Sequence, residues 1–295
     1  MEDGRLRPFW RFSISVLVFF AANFVASSLA ALIGGQDTKL VQAVFRPALM
    51  AALLLGYGGM LRAFDGVASH RLAAMGLPGG WRALRHALAG IGVGAVMAII
   101  TVAVIASAAD LKVEAKPIQH AASLFVIEVF VVLSTAAMAE EVAFRGYPFQ
   151  RLIEVTGRGG AIAAFSAAFG AVHLKNPHAT TIGFLNTVLI GVVFAIAYLR
   201  ARTLWLPWGM HWAWNFLLGA VIGLPVSGVD MSIGFRTRAL GPVWITGGAY
   251  GPEASPACTI AVAVALVVVL VAFRGSKIPL NKPADVTSAG GIQSM

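Results

Sequence analysis

The sequence predicts an all-α fold: a polytopic membrane bundle of about eight transmembrane helices, with the N- and C-termini cytoplasmic. Three observations predict it. The 295 residues are 58% hydrophobic and only 12% charged, with a mean hydropathy of +0.81, outside the usual range of soluble domains. Apolar runs of roughly 20 residues, the length that crosses hydrocarbon, recur along the chain. Basic residues gather in alternate connections between those runs.

The surplus of 22 Lys and Arg over 13 Asp and Glu does not indicate nucleic-acid binding, because these charges punctuate apolar segments and form no basic stripe. Cys258, the single cysteine, has no disulfide partner and no metal-ligand neighbours, and reads as a small apolar helix residue.

Taken in order, the first run, Phe12 to Ile33, follows Arg5, Arg7 and Arg11. It exceeds the roughly 7–15 apolar residues of a signal peptide, so it is read as an uncleaved first span. Further spans are expected near 41–61, 87–108, 118–147, 160–174, 181–200, 203–223 and 257–273, the fifth being short. Three regions follow: 1–117 with the first spans, 118–223 as the core, and 224–295 with a long connection, a last span and a tail. The stretch 224–256, rich in Gly and Pro, is expected to be a lid, a re-entrant segment or a solvated loop. The tail after Lys277 is expected to be disordered. Gly90 with Gly94, and Gly219 with Gly223, have the four-residue spacing that lets helix backbones approach.

Orientation comes from counting Lys and Arg in alternate connections. Fifteen fall on the side of the termini, including Arg62, Arg71, Arg82, Arg85, Arg151 and Arg158; seven fall on the other, including Lys39, Arg46, Lys112 and Lys175.

The fourth span poses the functional question. It carries Glu128, Glu140, Glu141 and Arg145 among eleven Leu, Ile, Phe and Val residues. Those eleven contribute roughly −5 kcal/mol to insertion, and charges at a helix centre cost about 2.5–3.5 kcal/mol each. Three charges cancel the gain, so the segment needs partners. Glu141 and Arg145 stand one helical turn apart in the favourable order. Glu140 points about 100° away and must find its partner elsewhere.

Two later spans carry matching polar groups. Phe169 and His173 share one helix face, and His211 and Asn215 share another. Counting helical rise from the expected cytoplasmic ends places Glu140 about 11 Å, His173 about 20 Å and His211 about 12 Å deep, compatible with one cluster opening to the cytoplasm. A carboxylate and an imidazole beside one water supply a general base and acid, and a His with an Asn one turn on supplies two donors for an oxyanion. The pattern points to peptide-bond hydrolysis inside a membrane. Phe169 reads as packing beneath the site, Trp205, Trp208, Trp212 and Trp214 as interface anchors, and Asn176, His178 and Asn186 as loop or helix-contact residues. Glu128 is left without a role.

These residues resemble the type II CAAX prenyl endopeptidase and bacteriocin-processing (CPBP, or Abi) family of intramembrane proteases. Its motifs stand here as Glu140-Glu141-Val-Ala-Phe-Arg145, Phe169-Gly-Ala-Val-His173 and His211-Trp-Ala-Trp-Asn215, in order, over roughly residues 121–220. The resemblance implies that Glu140 and His173 activate a water, that His211 and Asn215 stabilise the oxyanion, and that Glu141 with Arg145 shapes the pocket. It implies a membrane-associated peptide as substrate, a prenylated tail or a leader peptide among the possibilities, in a multi-pass protein of the cell membrane. No cofactor is expected; the alternative is a divalent metal, zinc, held by Glu140, His173 and His211. Two rival classes are a catalytically silent scaffold or immunity protein and a proton-coupled transporter. The absence of an internal repeat counts against the latter.

Overall fold

The computed structural model describes residues 6–115 and 122–273, and the tail expected to be disordered lies outside them. Helix α1 (Pro8–Gly34) starts on a proline at its first turn and ends where Gly35 takes a positive φ. Helix α2 (Thr38–Asp65) returns alongside it, a one-turn α3 (Arg71–Ala74) follows, and α4 (Trp81–Ala108) runs from Gly80 to the first strand. Helix α5 (Ala122–Arg145) carries the paired glutamates. Helix α6 (Tyr147–His173) is broken at Gly157, whose φ of 75° and ψ of 173° no helix accepts. Helix α7 (Thr181–Ala201) is capped by Thr180, whose hydroxyl accepts from the Gly183 amide at 3.0 Å. Helix α8 (Trp205–Asn215) continues into a π-helical stretch, Phe216–Ile222.

The segment expected as a lid or a loop is folded. Strand β2 (Phe235–Leu240) pairs antiparallel with β1 (Asp110–Ala115), Asp110 opposite Leu240 and Ala115 opposite Phe235. A one-turn α9 (Val243–Thr246) and a 3₁₀ turn (Pro252–Ala254) lead into α10 (Pro256–Ala272).

By length and composition, α1, residues 40–65 of α2, α4 and α7 are long and apolar enough to cross a membrane, and α10 is a shorter apolar helix. The chain is thus a helical membrane bundle. Of the other expected spans, α5 carries its charges, α6 is broken, and α8 is only 11 residues long before its π-helical continuation.

Glycines set the tightest contact. A Cβ on Gly90 or Gly94 of α4 would collide with the carbonyl oxygens of Leu206 or Met210 on α8, and one on Gly209 would meet the Ala87 carbonyl. The expected close backbone approach therefore occurs at Gly90 and Gly94, and it places the helix that carries His211. Gly219 and Gly223 act differently. They pack on Val226 and on the Phe235–Arg236 backbone, and Gly223, at φ 81°, ends the π-helical stretch.

The far end of the bundle is tied by charge. Asp65 accepts from Arg11, from Arg151 at 2.9 Å and from the Tyr147 hydroxyl at 2.7 Å, and Glu154 pairs with Arg151 at 2.9 Å. Here α1, α2 and α6 meet. Arg82 donates to the Ala201 carbonyl and Arg200 to the Phe273 carbonyl, so the described chain ends share this end.

Candidate active site

Helices α5, α6 and α8 bring their motif residues to one place. Glu140, His173, His211 and Asn215, with Phe169 below them, line a single cavity of about 710 Å³. Glu141 and Arg145 stand behind it, both fully buried.

Arg145 is enclosed on every side. Nη1 lies 3.2 Å from Glu141 Oε1, Nη2 donates to the Gly191 carbonyl at 3.3 Å, and the guanidinium sits 4.4 Å from the Phe169 ring centre. Phe194 and Phe144 complete the box at 5.4 and 5.7 Å. Gly191 admits the carbonyl contact because a Cβ there would press on Ser166 and on Arg145 itself.

The same Glu141 oxygen lies 3.0 Å from His211 Nδ1. A carboxylate only accepts, so this nitrogen carries a hydrogen and Nε2 is turned to Glu140, whose Oε2 is 3.8 Å away. That Oε2 is buried and has no hydrogen-bond partner, while the other oxygen lies 3.6 Å from Arg46 Nη1. At 3.8 Å the gap between Glu140 and His211 exceeds a hydrogen bond and suits a bridging water. His173 is fixed in the same manner: Nδ1 donates to the Phe169 carbonyl at 2.7 Å, which leaves Nε2 as the lone-pair nitrogen.

Among the described residues no group of three or more His, Cys, Asp or Glu side chains has the spacing to hold a metal ion. Glu140, His173 and His211 share the cavity wall without forming such a cage.

Sequence reasoning missed Glu253. Its buried carboxylate accepts from the Trp214 indole at 3.1 Å and from both the amide and the hydroxyl of Ser227, the hydroxyl at 2.7 Å. Its carbonyl accepts from Asn186 at 2.8 Å. An acidic residue between Gly/Pro-rich turns was the one available signal, and it carries no periodicity. Burial, and after it the Glu253 carboxylate, push the neighbouring Tyr250 phenol above its ordinary value, so it remains a hydroxyl.

Other expectations change as well. Trp214 is buried and bonded to Glu253, so it is an interior contact, while Trp205 and Trp208 are half-buried and donate to the Pro78 and Ser134 carbonyls. Trp212 stacks on Phe216 at 5.0 Å. Asn186 is a helix contact, as expected, bridging Glu253, Ser255 and Thr259. Glu128 stands exposed on the cavity wall with Asn176.

The end of α5, from which the depth of Glu140 is counted, is buried from residue 141 to 149, with Arg145 level with Phe169. The cavity is built from the start of α2, the first three quarters of α5, the end of α6, the middle of α7, the end of α8, and residues 226–232 with Glu253. It therefore opens at the end opposite the described chain ends. Cytoplasmic termini and a cytoplasmic mouth cannot both hold.

Residues 122–217 match the family model of the type II CAAX prenyl endopeptidases described as Rce1-like. Over this core segment the chain is similar to that family. The match covers about a third of the chain, contains all three motifs, and is a match to a protease family of apolar membrane helices. No curated protein and no solved structure matches the chain.

Proposed function

We propose that this protein is an intramembrane endopeptidase of the CAAX type that hydrolyses a peptide bond of a membrane-associated polypeptide without a metal. The observation that supports it best is the Glu141–His211 contact at 3.0 Å beside an unpartnered Glu140 oxygen in a shared cavity. Glu140 Oε2 takes a proton from a water as its oxygen attacks the substrate carbonyl carbon. His173 Nε2 accepts a hydrogen bond from the same water and aims its lone pair. The oxyanion accepts from Asn215 and from His211 Nε2–H, with His211 acting as imidazolium while Nδ1–H stays on Glu141. Collapse of the tetrahedral intermediate breaks the C–N bond, and the proton held by Glu140 goes to the leaving amine.

In this reading residues of 118–223 do the chemistry, while the start of α2, the segment 226–232 and Glu253 complete the cavity wall. Helices α1, α2, α4, α5, α6, α7, α8 and α10 are assigned to eight crossings of the cell membrane, with both termini at the cytoplasmic end. Comparison of polypeptide termini in the membrane and secreted fractions of cells carrying wild type or Glu140→Ala tests the activity. A set of termini present only with wild type is expected; identical profiles would overturn it.

A further inference from the structure

Glu128 takes no part in the hydrolytic scheme, and an apolar helix does not carry a carboxylate freely. Acidic side chains in membrane helices are rare and face partners or wet cavities. Glu128 is exposed on the cavity wall and, among the described residues, has no ion pair or hydrogen bond. The other acids of that wall are engaged. Glu140 faces Arg46 at 3.6 Å, Asp230 pairs with Arg236, and Glu253 accepts from Trp214 and Ser227.

Spacing ties Glu128 to the catalytic carboxylate. Glu128, Val132, Ala136 and Glu140 follow one another at four-residue intervals and all line the cavity, so α5 presents one stripe with a carboxylate at each end. Between the two acids the stripe is apolar. Twelve residues of helix span about 18 Å, which an extended peptide at about 3.3 Å per residue covers in about five or six residues. Among the described residues Arg46 is the one Lys or Arg on the cavity wall, and it stands beside Glu140 at the other end of the stripe.

We infer that α5 is the track along which the substrate lies, and that Glu128 selects a polypeptide with Lys or Arg about five or six residues from the scissile bond and apolar residues between. That the occupant is a polypeptide rests on the hydrolase reading. An ammonium or guanidinium in this position gains a charge-assisted hydrogen bond to a carboxylate that has no other partner. An acidic side chain there meets like charge.

The test is titration calorimetry on the purified full-length chain carrying Glu140→Gln, so that the probes are not consumed. The probes are N-acetylated, C-amidated eight-residue peptides of Ala and Val with a single Lys or a single Glu, placed at either end, so the side chain is the only charge. In at least one placement the Lys peptide is expected to bind about 5–10-fold more tightly than the Glu peptide. Adding Glu128→Gln is expected to abolish the difference and Glu128→Lys to reverse it, which a purely structural role of Glu128 would not do. The comparison of Lys and Glu peptides on the chain that keeps Glu128 stands without either variant. Equal affinities in both placements, a preference that Glu128→Lys leaves unchanged, or no binding of any probe overturns the inference. A preference that follows the charge at position 128 in a chain that cleaves nothing would keep the inference and remove the hydrolase reading; cleavage without any such preference would do the opposite.

Discussion

Glu141 Oε1 lies 3.0 Å from His211 Nδ1 and 3.2 Å from Arg145 Nη1, so one buried oxygen both neutralises an arginine and aims a histidine. Structure and chemistry meet in that atom. Glu141→Ala leaves Arg145 as an uncompensated buried charge, which costs about 3–5 kcal/mol. Thermal denaturation of the purified protein is expected to show a large fall for Glu141→Ala. Pairing it with Arg145→Ala is expected to cost less than the two single losses combined.

The oxyanion assignment gives a kinetic signature. Asn215→Ala removes a donor that acts only as charge develops on the substrate carbonyl. A fall in kcat of about 10²–10³ is expected with little change in KM. A rise in KM at constant kcat would show that Asn215 serves substrate binding instead.

Glu253 tests the roof of the cavity. Glu253→Ala strips the Trp214 indole and the Ser227 amide of their acceptor, at about 1–3 kcal/mol for each buried donor left unpaired. Glu253→Gln keeps an acceptor oxygen and is expected to lose less. Thermal stability ranks the variants, and Trp fluorescence reports on the indole.

The α4–α8 contact predicts a contrast between glycines of one helix. Gly94→Ala pushes a methyl into the Met210 carbonyl one residue before His211 and is expected to destabilise by about 1–3 kcal/mol. Gly92→Ala faces open space and is expected to be neutral or slightly stabilising. Equal effects would contradict the packing described for α8.

The legible part of this protein is what helix periodicity and local charge encode. The Glu141–Arg145 pair follows from one-turn spacing, and Gly90 with Gly94 from the need for close backbones. Convergence of Glu140, His173, His211 and Asn215 was readable because isolated polar residues in apolar helices must meet something polar. The illegible part depends on pairing across sequence distance. Strands at 110–115 and 235–240 have no local signal for each other, and Glu253 gains meaning only once Trp214 and Ser227 surround it.

The central claim is that Glu140 activates the attacking water. It is tested most directly by the cleavage rate of Glu140→Gln on a substrate identified from the terminus comparison, in reconstituted membranes and with thermal stability matched to wild type. The account predicts a loss of about 10²–10⁴ in rate with the fold intact. A folded Glu140→Gln that cleaves at the wild-type rate would contradict it.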